Sequence, residues 1–232
     1  MSDAINHPLT SIGMIKLLVI KDFQIYQKQL AAFVAGMILA LSLIGTGKPW
    51  PFAVGSLLLL VLLVTIGSFS IQTSLITERK EQTVPFIMSL PVTPMEFYWG
   101  KLLGTLAIYL VPFTLVAGGS IALVLGTPLP DGLLVFFLLV YCFLLMCFCV
   151  HLCVAIAVAS EAWIMFTMMA LMTLLGPYIY GIVRVAAIGR NLNTNNIVWS
   201  GTAFGLLAAQ LAVIAIAIGV SSWLHSRKTS FL

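Results

Sequence analysis

Residues 78–101 read ERKEQTVPFIMSLPVTPMEFYWGK, a polar, proline-marked stretch between two long apolar runs, 52–76 and 102–125. The stretch holds six charged residues, whereas the whole chain of 232 residues has only 11 Lys and Arg and 7 Asp and Glu. Hydrophobic residues make up 61% of the chain and its mean hydropathy is +1.13, whereas soluble domains have about a quarter of their residues charged. The sequence therefore predicts an integral membrane protein, and this stretch is expected to contact something outside the lipid.

The apolar runs on both sides of this stretch predict an all-α membrane protein. They are long and continuous, whereas the strands of a membrane barrel alternate in and out over about 10 residues. Six runs are long enough to span a membrane: 30–47, 52–76, 102–125, 133–159, 162–183 and 197–224. Only Ser160 and Glu161 interrupt the run between the fourth and fifth spans, so one long kinked helix, with five spans in total, is the alternative. We expect a single transmembrane domain over 1–232 without an additional soluble domain.

An amphipathic helix over residues 10–28 precedes the first span in this prediction. Apolar residues recur at spacings of three and four along one stripe, which is typical of an interfacial helix. The stripe consists of Ile12, Ile15, Val19, Phe23 and Tyr26, and the opposite face carries Lys16, Gln24, Gln27 and Lys28. A lead-in that faces water is the alternative. No short apolar core with a small-residue cleavage pattern follows, so a cleaved signal peptide is not expected.

The distribution of positive residues predicts the orientation. With the N terminus in the cytoplasm, eight Lys and Arg lie inside and three lie outside. The inside set is Lys16, Lys21, Lys28, Arg79, Lys80, Lys101, Arg227 and Lys228, and the outside set is Lys48, Arg184 and Arg190. This orientation places both termini and residues 78–101 in the cytoplasm. The net charge of +4 follows from this asymmetry and from anionic lipid, so no nucleic-acid partner is expected.

The third span has a recognisable start. Thr93-Pro94-Met95-Glu96 forms a capping box with proline at the first helical position, in which Thr93 and Glu96 satisfy backbone N–H groups. This motif predicts that the helix begins at Pro94. The next aromatic and basic residues, among them Tyr98 and Lys101, are of the types that lie at the depth of the lipid headgroups.

Upstream of that start, a short apolar segment is flanked by charges that keep it outside the bilayer. It contains Val84, Phe86, Ile87, Met88 and Leu90, and Pro91 prevents a helix from continuing far past Leu90. Such a short helix suits a groove on a soluble partner. The residues alone favour equally a helix that lies on the lipid and steadies the second and third spans.

The segment has the form ERKEQTxxxxxSLPVTPxEFxxGK, and with the six spans it resembles the permease subunits of ABC-2 type exporters. The match is carried by Glu78, Arg79, Glu81, Ser89, Leu90, Pro91, Val92, Thr93, Glu96, Gly100 and Lys101. One difference is Thr83-Val84-Pro85, where the family more often has a Gly-Thr-Leu/Ile-Glu start. The resemblance implies that Gln82 to Leu90 forms a cytoplasmic coupling helix between spans 2 and 3. It also implies short re-entrant helices between the fifth and sixth spans.

The resemblance further implies the partners of the chain. These are ABC ATPase subunits, a second permease subunit, identical or related, and the lipid of a bacterial plasma membrane. The contact with the ATPase would be made by Glu78, Arg79, Glu81, Val84, Phe86, Ile87 and Leu90. The chain has no GxxxxGK[ST] sequence, so it is expected to be a non-catalytic subunit without a cofactor, and ATP and Mg²⁺ would be bound by the partner.

Other candidate chemistry is concentrated in the fourth span, which contains Cys142, Cys147, Cys149, His151 and Cys153. Cys147 and His151 share one helical face, whereas the other three cysteines share another, so a single helix cannot place all five around one metal ion. Soft ligands of this kind can hold a copper-like ion or haem. The alternative, which we favour, is that cysteine packs here as a small apolar residue, with no metal site.

The expected cargo is hydrophobic or amphipathic, such as a lipid-like molecule, a peptide or a drug. Aromatic residues suited to such a path are Phe69, Tyr109, Phe113, Phe166 and Tyr178. No acidic residue lies near the middle of a span, which argues against the alternative of a secondary transporter driven by protons or sodium. An exporter or handler of haem or metal remains a further alternative. No Ser, His and Asp set or HExxH pattern indicates an intramembrane hydrolase.

Overall fold

The computed structural model describes residues 11–77, 94–158 and 160–227, and these form helices without strands. The helices are α1 (Ser11–Gly45), α2 (Pro49–Ile71), α3 (Pro94–Gly126), α4 (Leu133–Ala157), α5 (Glu161–Arg184), α6 (Ala186–Gly189) and α7 (Gly201–Ser226). A π-helical segment, Gln72–Thr77, continues α2. Residues 1–10, 78–93, 159 and 228–232 lie outside the described part of the chain.

Six of these helices are long and apolar enough to cross a membrane, which confirms the predicted number. The fourth and fifth spans, which only Ser160 and Glu161 separate in the sequence, are two distinct helices. Helix α4 ends at Ala157, and Ser160 has the extended backbone of an N-cap before Glu161. The alternative of five spans is therefore wrong for this structure.

The separate interfacial helix over residues 10–28 is not confirmed. Helix α1 runs without a break from Ser11 to Gly45, and the part apolar enough for a span begins at Gln27. Residues 27–32 read QKQLAA and contain neither Pro nor Gly, so nothing in them ends a helix. A helix that turned from the membrane surface into a span would need such a break.

Helix α4 lies at the centre of the bundle. It packs against α2, α3, α5 and α7, whereas α1 packs against α2 and α3 on one side. Helix α5 packs mainly against α4 and the short α6. The order of packing therefore leaves α4 surrounded by protein and α5 at the edge.

Hydrogen bonds and ring contacts show which helix ends lie together. At one end, the Thr105 hydroxyl donates to Ser74 Oγ over 3.0 Å, and the rings of Tyr98 and His225 stack with centroids 5.2 Å apart. At the other end, the Gly132 N–H donates to the Thr194 carbonyl over 3.0 Å. The first end therefore brings together the chain on both sides of residues 78–93 and the end of α7.

Candidate functional site

The predicted coupling residues Glu78, Arg79, Glu81, Val84, Phe86, Ile87 and Leu90 lie outside the described residues, and so does Thr93 of the capping box. Glu96 belongs to α3, but its side chain is not described. Helix α3 does begin at Pro94, the residue predicted for its start. The structure thus describes the residues that flank the segment, Thr77 and Pro94, and the coupling contact itself stays a prediction.

The π-helical segment Gln72–Thr77, which precedes residues 78–93, was not predicted from the sequence. Hydroxyl side chains concentrate just before and within it, and the Thr73 hydroxyl donates to the Phe69 carbonyl over 2.7 Å. Side chains that bond back to helix carbonyls in this way bend helices, and π-helical turns occur often at functional sites. The run of Ser68, Ser70, Thr73 and Ser74 was the available signal.

On the other side of residues 78–93, the start of α3 is anchored inside the protein. Tyr98 and Lys101 are buried in the protein, with relative exposures of 0% and 4%, and their expected depth near the lipid headgroups stays a prediction. The Tyr98 hydroxyl donates to the Ile218 carbonyl of α7 over 3.4 Å, in addition to the His225 stack. A displacement of the start of α3 would therefore be passed to α7.

A small cavity between α4 and α5 brings together two residues of the cysteine cluster. Cys147 and His151 of α4 line it with Met168 and Met172 of α5. The cavity has a volume of about 20 Å³, and His151 is 6% exposed. Cys147 lies about 15 Å along α4 from Ala157, at a rise of about 1.5 Å per residue, which is near the middle of the helix.

The aromatic pair Tyr109 and Phe148 closes one side of this cavity. Their rings stack with centroids 3.9 Å apart, and Gly67 of α2 faces both. A Cβ at Gly67 would lie 3.1 Å from Phe148 and 3.3 Å from Tyr109, so a side chain there would press on the stacked pair. The absence of a side chain at Gly67 lets α2 approach the stack.

The remaining cysteines do not line this cavity, as the helical spacing predicted. Within the described ranges, no three His, Cys, Asp or Glu side chains come together as a metal site. The four cysteines are free thiols, and Cys147, Cys149 and Cys153 are buried. Three of the four cysteines therefore fill space inside the protein, and the expected absence of a metal site stays a prediction.

A polar bridge ties α5 and α7 to α4. The Gln210 amide of α7 donates to the Leu139 carbonyl over 3.2 Å and to the Tyr178 hydroxyl, and that hydroxyl donates to the same carbonyl over 3.3 Å. The Tyr178 ring also stacks on Phe143 with centroids 3.9 Å apart. Helix α5 remains helical through Pro177.

A larger cavity of about 220 Å³ lies nearer the end of the bundle that holds Gly132. Aromatic residues Phe52, Phe136, Phe137 and Tyr141 line it. Its one hydroxyl besides that of Tyr141 belongs to Ser56, whose Oγ is buried without a hydrogen-bond partner among the described residues. Such a wall favours apolar occupants.

The aromatic residues assigned to a cargo path all pack against other rings. Tyr109 stacks on Phe148, Phe113 is tilted against Tyr109, Phe69 contacts Phe33, and Tyr178 stacks on Phe143. Only Phe166, which is 59% exposed, stands on the outer surface of the described bundle. Its ring contacts that of Trp163, with centroids 5.8 Å apart. Ring packing therefore accounts for all five residues, and their assignment to a path stays a prediction.

Comparison of the chain with models of protein families, with curated proteins and with solved structures finds no match.

Proposed function

We propose that the chain is the membrane-embedded permease subunit of an ATP-driven ABC exporter, coupled through residues 78–90 to a separate ATPase subunit. The observation that carries the proposal is the convergence of the segment's two ends. The π-helical segment ends at Thr77 and α3 begins at Pro94, and the Thr105–Ser74 hydrogen bond joins these two elements at one end of the bundle. A short charged segment held at both ends in this way suits a contact that transmits force.

The proposed orientation rests on the charges at the two ends of the bundle. Lys101 and Arg227 lie at the end of the bundle where Thr77 and Pro94 flank residues 78–93. At the opposite end, Lys48 precedes α2, Arg184 ends α5 and Arg190 follows α6. With Arg79 and Lys80 of the segment, the positive charge favours a cytoplasmic location for the first end. We therefore propose that both termini and the segment face the cytoplasm of a bacterial cell.

The coupling would proceed through α3. A closing movement of the ATPase subunits would push the segment, and so the start of α3 and the end of α2. Because Tyr98 contacts Ile218 and His225 of α7, the movement would reach the last span as well. ATP and Mg²⁺ would act only in the partner, since the chain has no phosphate-binding loop.

The buried polar groups favour ATP-driven transport over a secondary transporter. The buried polar and charged residues of the described ranges are Ser70, Ser74, Lys101, Thr105, Ser120, His151, Gln210, Ser221 and His225. None of these is a carboxylate, the group that proton- or sodium-coupled carriers ordinarily place at the membrane centre. Energy from a partner therefore explains transport better than an ion gradient does.

The exposed face of α5 supports a second permease subunit beside it. Gly176 and Pro177 lie on this face, and Pro177 removes the helical hydrogen bond to the Thr173 carbonyl. In lipid, such a carbonyl has no partner, whereas a second subunit or an aqueous path supplies one. We propose that the path for a hydrophobic or amphipathic cargo lies between two such subunits, and the apolar cavity lined by Phe52 and Phe136 fits this class of cargo.

The docking part of the proposal is tested by co-purification with a candidate ABC ATPase subunit. The double variant Ile87→Asp/Leu90→Asp should lose the ATPase, because two carboxylates would be buried in an apolar groove. The matched control is Ile197→Asp/Val198→Asp, which places the same charges on exposed apolar residues at the other end of the bundle. Retention of the ATPase by the first variant would contradict the docking site. Loss of the ATPase by both variants would also contradict it, because the effect would then not depend on residues 87 and 90.

A further inference from the structure

Four soft donor groups face one cavity between α4 and α5. Cys147 and His151 are four residues apart on α4, and Met168 and Met172 are four residues apart on α5. Residues at this spacing lie on one face of a helix, so each helix contributes a pair. We propose that this cavity binds a single Cu(I) ion through the Cys147 thiolate, the His151 imidazole and the thioethers of Met168 and Met172.

His151 supplies an independent reason for a ligand. The residue is buried, and its Nδ1 atom has no hydrogen-bond partner among the described residues. A buried polar atom of this kind is unfavourable unless it meets an ion, a water molecule or another polar group. His151 also lines the cavity, so an ion bound there is one way to supply this missing partner.

The size of the cavity limits what the ligand is. A volume of about 20 Å³ is enough for one water molecule or one ion. A porphyrin is many times larger, so the haem considered from the cysteine and histidine cluster does not fit. A single atom or small molecule is the occupant that the space allows.

Charge and donor type select the ion. Thioether and thiolate sulfur bind Cu(I) well, whereas Mg²⁺ and Ca²⁺ prefer oxygen. When Cys147 binds as a thiolate it releases one proton, and its single negative charge then neutralises a monovalent ion. A divalent ion such as Zn²⁺ would leave a net charge of +1 in the apolar interior, because the other three donors are neutral. Cu(I) therefore satisfies both the donor set and the electrostatics.

The sequence did not indicate this set of four donors. Only two of the four belong to the residue types that usually mark a metal site, and the two methionines come from another helix. Cys149 and Cys153 do not line the cavity, so they are excluded from the proposed site although they are neighbours in sequence. Substitutions of these two cysteines therefore serve as controls for substitution of Cys147.

The experiment measures Cu(I) affinity of the full-length protein in detergent, without oxygen, by competition with a chromophoric Cu(I) chelator. The wild type should bind one Cu(I) per chain. Met168→Leu/Met172→Leu should weaken binding roughly tenfold or more. Mutation of residues that only support the ligands of a metal already lowers its affinity about 10–100-fold. Leucine replaces methionine with little change in volume, so the fold should be kept. Met165→Leu/Met169→Leu, on the exposed side of the same helix, should bind as the wild type does.

A second matched pair separates this site from adventitious binding by thiols. Cys147→Ser should weaken Cu(I) binding, whereas Cys149→Ser, two residues away and also buried, should leave it unchanged. Zn²⁺ should not compete for the site. The proposal is overturned if the wild type binds no Cu(I), which is the result for a cavity that holds only water, or if the two methionine double variants bind equally.

Discussion

Helices α4 and α5 are consecutive, similar in length and packed against each other, yet they have opposite environments. Helix α4 has the highest mean hydropathy of the six spans, 3.0, and 56% of its most apolar stretch is buried in protein. Helix α5 has the lowest, 1.6, and only 6% of its stretch is buried. In a soluble protein the less apolar helix is also the more exposed one, because water solvates it, but in a membrane its exposed side requires a different explanation.

The difference shows that burial in this bundle is governed by shape rather than by escape from water. Lipid tails are as apolar as a protein core, so helices associate through close packing and hydrogen bonds. Helix α4 packs through stacked rings, such as Phe148 on Tyr109 and Phe143 on Tyr178. Helix α5 lacks such contacts on its outer side, which is why we assign that side to a partner or a path.

The largest effect is expected where the start of α4 meets the segment after α5. A Cβ at Gly132 would lie 1.8 Å from the Asn191 carbonyl oxygen, although its φ of −60° suits any residue. Gly132→Ala should therefore lower the free energy of unfolding in mixed micelles by about 3 kcal/mol, at the upper end for overpacking. Gly126→Ala is the control, because nothing lies within 4 Å of a Cβ there. Equal stability of the two variants would show that the loops are not in contact.

The next effect compares one phenylalanine on each helix. Phe148→Ala should cost about 2 kcal/mol, which is the cavity term of about 24 cal/mol per Å³ over a removed volume of roughly 100 Å³. The transfer term should be small because the unfolded helix stays in an apolar environment. Phe166→Ala, at a residue 59% exposed, should change the free energy of unfolding by less than about 0.5 kcal/mol. A larger loss of unfolding free energy for Phe166→Ala than for Phe148→Ala would contradict the assignment of α4 to the core and α5 to the edge.

The smallest effect concerns the polar bridge between α4, α5 and α7. Tyr178→Phe keeps the stack on Phe143 and removes the hydroxyl, and Gln210→Leu removes the amide. A double-mutant cycle should give a coupling free energy of about 0.6–1.7 kcal/mol, the range for hydrogen bonds between membrane helices. Strict additivity of the two substitutions would mean that the bridge does not hold α5 in place.

The contrast between α4 and α5 was only partly predictable from the sequence. Long apolar runs are a local signal, and six spans followed from them, although the boundary at Ser160 also allowed five. The start of α3 at Pro94 followed from another local signal, the capping box at Thr93–Glu96. The position of each helix in the bundle did not, because in lipid the most apolar helix and an ordinary one are equally well solvated. The burial of Lys101 against other helices was not predicted, because its residue type indicates a depth near the headgroups but not which side chains cover it.

The candidate sites divide in the same way. The separation of Cys147 and His151 from the other cysteines followed from helical periodicity alone. Their meeting with Met168 and Met172 depends on the packing of two helices, and no pattern within either helix specifies the partner. The continuous course of α1 was missed because an amphipathic stripe does not encode where a helix leaves the membrane surface. Residues 78–93 lie outside the described ranges, so their role stays a prediction from resemblance.

The most direct test of the central claim is ATP hydrolysis by the ATPase subunit reconstituted in vesicles with this chain. If the chain is the permease, its presence should change the rate of hydrolysis, and Ile87→Asp/Leu90→Asp should abolish that change. Ile197→Asp/Val198→Asp should preserve the change, since its residues lie at the other end of the bundle. A rate that is the same with and without the wild-type chain would contradict the account.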